Sequence, residues 1–328
     1  MEFRRLGKTG LKVSRIGLGS GGPSRLGQSR SADERDMHRL VRRALDLGIN
    51  FIDTAAAYGD SEAILGRALD GVPRDSYVLA TKFHAAQKGE FYSPEQILES
   101  VERSLSLLKT DCIDVLQVHG IEAPDYKRSA SLVLPLLNKL KQQGKCRYVG
   151  VTENYVRDYE HEMIPMATAD NWPDTVMVGY NLLSPTAENE AIPACAKADI
   201  GVIGMVPVRR ALSRPELLRS NIAEAKKHGW IDDDALSDDG PLDWLLSDDV
   251  ATLPAAGYKF VAANRNVDTI LTGTSNVEHL EANVDAVLGP PLPESDAARL
   301  RSIFSKCRVP MGDDITRTRR SGDSGEGT

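Results

Sequence analysis

Along this chain, apolar runs of strand length alternate with longer segments whose apolar residues recur at helical spacing. Eight runs read as strands: Arg15–Leu18, Asn50–Asp53, Tyr77–Thr81, Ile113–Val118, Arg147–Val151, Thr175–Gly179, Gly201–Met205 and Thr269–Leu271. The segments between and after them predict helices over Met37–Leu47, Glu62–Leu69, Gln96–Leu108, Ala130–Gln142, Tyr155–Thr168, Pro185–Lys197, Ala251–Asn264 and Asn276–Val287. Three of these open on residues that suit a first turn, namely Ser31-Ala-Asp-Glu, Asp60-Ser61 and Ser93-Pro94-Glu95. Gly48 and Gly144 stand where the first and fourth should stop. Strands and helices alternating in this number predict an α/β fold, a (β/α)8 TIM barrel.

Two pieces lie outside the repeat. Phe3–Val13, with Lys8-Thr9-Gly10 as its turn, reads as an N-terminal β-hairpin able to plug the bottom of the barrel. Val206–Val250 reads as a long acidic loop after strand seven, and loops of that length are usually functional or disordered. Residues 1–310 are therefore expected to form one barrel domain, and 311–328, ending SGDSGEGT, a disordered tail.

Composition narrows the function classes. With 328 residues, 41% hydrophobic, the chain has ample material for a core, and its length alone would fit one barrel or two domains. Forty Lys+Arg against 47 Asp+Glu leave a net charge of −7, which argues against nucleic-acid binding. Cys112, Cys146, Cys195 and Cys307 are widely spaced with no C-x-x-C pair, so no metal site and no disulfide framework are expected, and a reducing cytoplasm fits. MEFRRLGKTG is followed by no apolar core of a signal peptide, and no stretch approaches the length of a membrane span. Neither secretion nor membrane insertion is expected; the oligomeric state is left open.

Gly17-Leu-Gly19-Ser20-Gly21-Gly22 satisfies G-x-G-x-x-G, the spacing of a dinucleotide-binding turn. That turn requires a helix to begin at its third glycine, because the pyrophosphate rests on the helix N-terminus. Here Pro23-Ser24-Arg25-Leu26-Gly27 follows, and helix signals appear only at Ser31. The alternative is that Gly19, Ser20 and Gly21 bring backbone close to a ligand at the top of the barrel.

The chemistry sits at strand ends. Strand two ends in Asp53, strand three in Lys82 and strand four in His119, with Tyr58 on the loop after strand two. The C-terminal rim is where barrel enzymes keep their active sites. Each residue alone has a bland reading as a solvated charge or a satisfied polar group, but together they suit proton transfer to or from a carbonyl or alcohol oxygen. A phenol is a weak acid at neutral pH, and a nearby ammonium favours its ionised form. A carboxylate within reach keeps that ammonium charged when it is buried. His119 can donate a hydrogen bond to the reacting oxygen. Such a relay moves only a proton, so a hydride would have to come from a nicotinamide cofactor.

Asp53-Thr-Ala-Ala-Ala-Tyr58-Gly-Asp-Ser-Glu62, followed by Leu65-Gly66, resembles the D-T-A-x-x-Y-G-x-S-E signature of the aldo-keto reductase family. Lys82 in Ala-Thr-Lys and His119 in Ile113-Asp114-Val-Leu-Gln-Val-His119 match the rest of that family's catalytic tetrad, and the resemblance runs from Phe3 to about Asn283. It implies a barrel with NAD or NADP extended across its top. Asp53 would touch the nicotinamide ribose, while Thr152 and Glu153 occupy the place of a Ser-Asn pair that holds the carboxamide. Pro207, Val208, Arg209, Arg210 and Leu212 would face the pyrophosphate, where Arg209 or Arg210 could pair with it, although the two arginines read equally well as solvated loop charges; Gly273, Thr274, Ser275, His279 and Asn283 would hold the adenosine end. The chain departs from the pattern at Glu153, at Met177 in place of a glutamine, and at Met205 in place of the aromatic that stacks on nicotinamide.

Within the family, the loop from Phe83 to Ser93 and the run His119-Gly-Ile-Glu122 resemble the branch of aldose 1-dehydrogenases that act on sugars such as L-galactose and L-fucose. Tyr58, His84, His119 and Glu122, with Gln87, are then the expected substrate contacts. The resemblance leaves a second reading, a cofactor-sensing module without turnover. The segment Gly273–His279 carries no Lys or Arg for a 2′-phosphate, so NAD is expected to serve at least as well as NADP.

Overall fold

The computed structural model describes residues 1–87 and 89–313. A hairpin of β1 (Phe3–Arg5) and β2 (Lys12–Ser14) precedes the barrel strands β3 (Ile16–Gly19), β4 (Phe51–Asp53) and β5 (Val78–Phe83). A second small hairpin, β6 (Ala86–Gln87) and β7 (Glu90–Phe91), stands on the loop after β5. The barrel continues through β8 (Ile113–Ile121), β9 (Cys146–Glu153), β10 (Thr175–Gly179), β11 (Gly201–Met205) and β12 (Thr269–Thr272). The eight strands β3, β4, β5, β8, β9, β10, β11 and β12 pair in parallel in chain order, and β12 closes on β3. The predicted (β/α)8 barrel is the fold.

Its helices are α1 (Glu34–Asp46), α2 (Ser61–Ala68), α3 (Pro94–Leu108), α4 (Tyr126–Gln142), α5 (Met163–Asp170), α6 (Ala191–Lys197), α7 (Pro215–Lys227), α8 (Leu253–Ala263), α9 (Val277–Leu288) and α10 (Glu294–Phe304). Start chemistry works as the sequence suggests: Asp33 accepts from the Arg35 N–H at the head of α1, and Ser93 and Gln96 form a reciprocal capping box at the head of α3.

The helix expected over Pro185–Lys197 covers only Ala191–Lys197, after a 3-10 turn at Thr186–Glu188, and the helices differ from expectation in three further places. The predicted helix Tyr155–Thr168 begins only at Met163, because Asp158 accepts from the Glu162 and Met163 N–H groups and His161 turns the chain at φ +62. The long segment after β11 is not a simple loop but carries α7, started by Pro215, with Leu218, Ile222 and Ala225 buried on one face. The α10 helix, with Ala297, Leu300 and Phe304 inward, has no counterpart among the predicted helices.

Two apolar layers hold the barrel. Outward-facing strand residues pack against the helices, while Phe51, Val78, Ala80, Val115, Met177, Ile203 and Leu271 fill the interior. Leu6, Leu11 and Val13 of the N-terminal hairpin belong to that interior group. Leu6 is fully buried, and Gly7 packs so close to Gly201 that no Cβ would fit. The hairpin is the predicted plug. At the other end of the chain, Met311 is fully buried and Gly312 and Asp313 bond to Asn221, so ordered packing extends past the expected boundary at 310. Residues 314–328 of the expected tail lie outside the described residues.

Candidate active site

Three neighbouring strands carry the site. The register β4–β5 pairs Asp53 with Ala80, and β5–β8 pairs Lys82 with Gln117, so the strand ends stand side by side at the C-terminal rim. Lys82 Nζ donates to Asp53 Oδ2 at 2.6 Å and to the Thr54 carbonyl at 2.7 Å, and its side chain is inaccessible to solvent. Gln117 Nε2 donates to Asp53 Oδ1 at 3.3 Å. Unit charges about 4 Å apart attract by about 4 kcal/mol at the dielectric typical of proteins, while burying each ion costs several kcal/mol. The pair is sustained because the Thr54 carbonyl and the Gln117 amide add hydrogen bonds that bulk water would otherwise supply. Burial pushes the Asp53 carboxyl up, against the pull of Lys82 and Gln117. Burial pulls Lys82 down, but Asp53 and Tyr58 outweigh it and hold the ammonium above its ordinary range.

Tyr58 lies over this pair. Lys82 Nζ is 4.9 Å from the centroid of the phenol ring. The His119 ring meets Tyr58 edge-on at 5.6 Å, and His84 stacks on His119 at 4.5 Å with the planes 18° apart. Burial first, then Lys82 and His84, hold His119 well below its ordinary range, so its imidazole is neutral at pH 7. Burial also lowers His84. The structure thus brings together Asp53, Tyr58, Lys82, His119 and His84, as expected, and adds Gln117.

The glycine-rich segment acts on Tyr58 directly. A Cβ on Gly21 would sit 2.6 Å from Tyr58 ring carbons, so only glycine lets this backbone cover the phenol. Gln28, farther along the same loop, donates to the Tyr58 carbonyl at 3.3 Å and accepts from the Asp60 N–H at 2.9 Å, clamping the Tyr58 turn from above. The Ser20 N–H donates to the Asp53 carbonyl at 2.9 Å.

The expected cofactor residues divide. Around Gly273 the backbones converge: a Cβ there would lie 3.6 Å from the Gly19 carbonyl and 3.7 Å from that of Gly21. Ser20 Oγ, Ser24 Oγ, Gln117 Oε1 and His119 Nδ1 are buried without a partner among the described residues, a set of donors and acceptors that fits a polar, extended group laid across the rim. Thr274 is buried and Asn276 caps α9, accepting from the Glu278 and His279 N–H groups; His279 is exposed, and Asn283 donates to Thr272 Oγ1 at 2.9 Å. Thr152 Oγ1 accepts from the Gly120 N–H at 2.8 Å.

Glu153 is placed otherwise than expected. One carboxylate oxygen accepts from the Gly179 N–H at 2.6 Å, and the other lies 2.8 Å from His161 Nδ1, whose Nε2 reaches Thr186 Oγ1 at 3.0 Å. Both oxygens are engaged within the protein, and no tetrad residue is a partner. Met177 lies in the barrel interior and Met205 borders it. After β11, Val206 takes φ +53, a strained value for a β-branched residue, and turns the chain into Pro207. Pro207, Val208 and Leu212 then pack around Gly257 of α8. Arg210 is exposed, whereas Arg209 is largely buried and pairs with Asp313.

Of the expected substrate contacts, His84 is at the tetrad. Glu122 accepts from Asn154 Nδ2 at 3.0 Å and from Arg157 at 3.4 Å, bridging the loops after β8 and β9, and Gln87 accepts from Tyr92 Oη at 2.7 Å in the small hairpin. Gln117 was signalled by strand alternation, two residues before His119 on the same face.

The fold and this geometry are those of a known class. The family model for the aldo/keto reductase family matches residues 15–304, and the chain belongs to that family of NAD(P)-dependent oxidoreductases. It is 31% identical to L-galactose dehydrogenase of Arabidopsis thaliana, covering 88% of each chain. It is 29% identical to an NADH-specific methylglyoxal reductase of Escherichia coli, covering 91% of this chain and 97% of that one. An aldo-keto reductase from Bacillus halodurans, solved in its apo form, superposes with a TM-score of 0.68 at 26% identity, covering 96% of this chain and 100% of that one. Among the described residues no helix is long and apolar enough to cross a membrane, and no cluster of His, Cys, Asp and Glu could hold a metal ion.

Proposed function

We propose that the protein transfers a hydride between a nicotinamide dinucleotide and C1 of an aldose or a small carbonyl or alcohol, with Tyr58 as general acid and base. The arrangement that carries this reading is the Lys82 ammonium, fixed by Asp53 and the Thr54 carbonyl, 4.9 Å beneath the Tyr58 ring with the neutral His119 at its edge. The bound cofactor supplies or accepts the hydride. Tyr58 holds and moves the proton, Lys82 stabilises the negative charge that forms on the oxygen, and the neutral His119 donates a hydrogen bond that orients it. Asp53 keeps Lys82 charged.

Thr152, the backbone from Gly19 to Gly21, Arg209 and the segment Gly273–Asn283 would hold the dinucleotide. His84 and Glu122 would meet sugar hydroxyls, which need polar partners. Similarity to L-galactose dehydrogenase supports a sugar substrate. Similarity to an NADH-specific reductase and the lack of Lys or Arg between Gly273 and His279 support NAD being used at least as well as NADP. Four unpaired cysteines support a reducing compartment.

Nicotinamide absorbance recorded against a panel of aldoses and aldehydes, with both cofactors, tests this reading. Turnover with an aldose and a kcat/KM for NAD at least equal to that for NADP are expected. An NADP preference above about a hundredfold would overturn the cofactor assignment, and absence of turnover across the panel would overturn the substrate assignment.

A further inference from the structure

Arg209 is held from two sides by its own chain. Its guanidinium lies 5.5 Å over the Tyr155 ring, and Nη2 pairs with the Asp313 carboxylate. The segment that carries Asp313 is built into place. The Gly312 N–H donates to Asn221 Oδ1 at 2.8 Å, Asn221 Nδ2 donates to the Asp313 carbonyl at 2.9 Å, and the Ala211 N–H donates to the Gly312 carbonyl at 2.9 Å. Met311 is fully buried, and Gly312 takes φ +100 so close to the Arg209 side chain that a Cβ would collide with it. Arg209 Nε is buried and has no partner among the described residues. One guanidinium, only 11% exposed, thus faces a fixed carboxylate.

We propose that Asp313 competes with the dinucleotide's pyrophosphate for Arg209, and so sets how tightly the cofactor is held. This rests on Arg209 being the pyrophosphate's cation. A carboxylate and a pyrophosphate against one nearly buried guanidinium repel each other, so the strap of Met311–Asp313 yields its ion pair when the pyrophosphate binds. Apparent affinity falls by the fraction of molecules in which Arg209 is free to receive the new anion.

Calorimetric titration of adenosine diphosphate and of adenosine into the full-length protein tests this, since only the first carries the pyrophosphate. Asp313→Asn is expected to bind adenosine diphosphate about tenfold more tightly and adenosine unchanged. Asp313→Glu, which keeps the charge, should stay near the parent. Arg209→Met should weaken adenosine diphosphate binding, and in the Arg209→Met/Asp313→Asn double variant the gain from Asp313→Asn should vanish. If Arg209→Met weakens binding but Asp313→Asn leaves it equal or weaker, the competition is overturned. If Arg209→Met leaves binding unchanged, Arg209 is not the pyrophosphate's cation, and the underlying reading falls with it.

Discussion

The two sides of the barrel mouth treat charge in opposite ways. On the side of β4, β5 and β8, Asp53, Lys82, Tyr58 and His119 face one another, and Gln117 Oε1 and His119 Nδ1 are left without partners among the described residues. On the side of β9, β10 and the loop after β11, Glu153 is tied to Gly179 and His161, and Arg209 to Asp313. Both sides bury ions and both leave a buried polar atom without a partner among the described residues, Arg209 Nε on the second, but on the first such atoms stand beside the Asp53–Lys82 pair and the Tyr58 ring. Unsatisfied buried groups are costly, and such cost is usually borne where chemistry is done. Under the proposed function the first side does the chemistry, and the second frames the site and holds the cofactor.

Substitutions on each side should separate these roles. The largest effect is expected from Tyr58→Phe, which removes the proton and little else. Turnover should fall by about 10²–10⁴-fold with the thermal midpoint unchanged, and wild-type turnover under conditions where chemistry limits the rate would remove Tyr58 from the mechanism.

Lys82→Met leaves Asp53 buried and unpaired, so both activity and stability should suffer, the latter by about 3–5 kcal/mol in denaturant titrations at neutral pH. The sign with pH is fixed. Burial already raises Asp53, and without Lys82 its folded-state pKa lies farther above the unfolded one. The variant's stability is then greatest below the unfolded value of about 4 and is lost as pH rises through the folded value. A variant equally destabilised at about pH 4 and pH 8 would contradict the pairing.

Gly21→Ala should cost up to about 10²-fold in kcat by pushing the Tyr58 ring aside, with folding intact. Crystals of the variant showing an unmoved ring, with kcat preserved, would show that the loop yields instead. The smallest effect on chemistry belongs to the other side. Glu153→Gln should change kcat by no more than about twofold, yet lower stability by about 1–3 kcal/mol, because an amide cannot accept at both of the positions where the carboxyl meets His161 Nδ1 and the Gly179 N–H. A collapse of kcat with stability preserved would move Glu153 into the reactive group.

The same division explains what could be read from the sequence. Asp53 to Glu62 is a contiguous run and Lys82 and His119 close strands, so short-range order and the rim rule place all four. The barrel itself follows from alternation. Glu153 was misplaced because its partners, Gly179 and His161, come from a later strand and from a turn where a helix was expected. That turn reads as helical by apolar spacing, yet Asp158 spends its side chain on the N–H groups that begin α5. Helix α7 was hidden in an acidic stretch, although Pro215 and the spacing of Leu218, Ile222 and Ala225 were available to mark it. The Arg209–Asp313 pair joins residues too far apart for any local pattern to reveal.

The plug at the base of the barrel has a bearing on how the chain reaches its fold. Leu6, Leu11 and Val13 complete the interior only where Gly7 meets Gly201 and Arg5 pairs with Asp199 at 2.7 Å. A chain elongating at about 5–20 residues per second presents those first apolar residues roughly 10–40 s before their partners emerge. Closure of the barrel base is thus a late, high-contact-order event, and topology of that kind folds slowly. The opening residues of this protein must wait on its synthesis, and their exposure in the interval is where assistance from chaperones would count most.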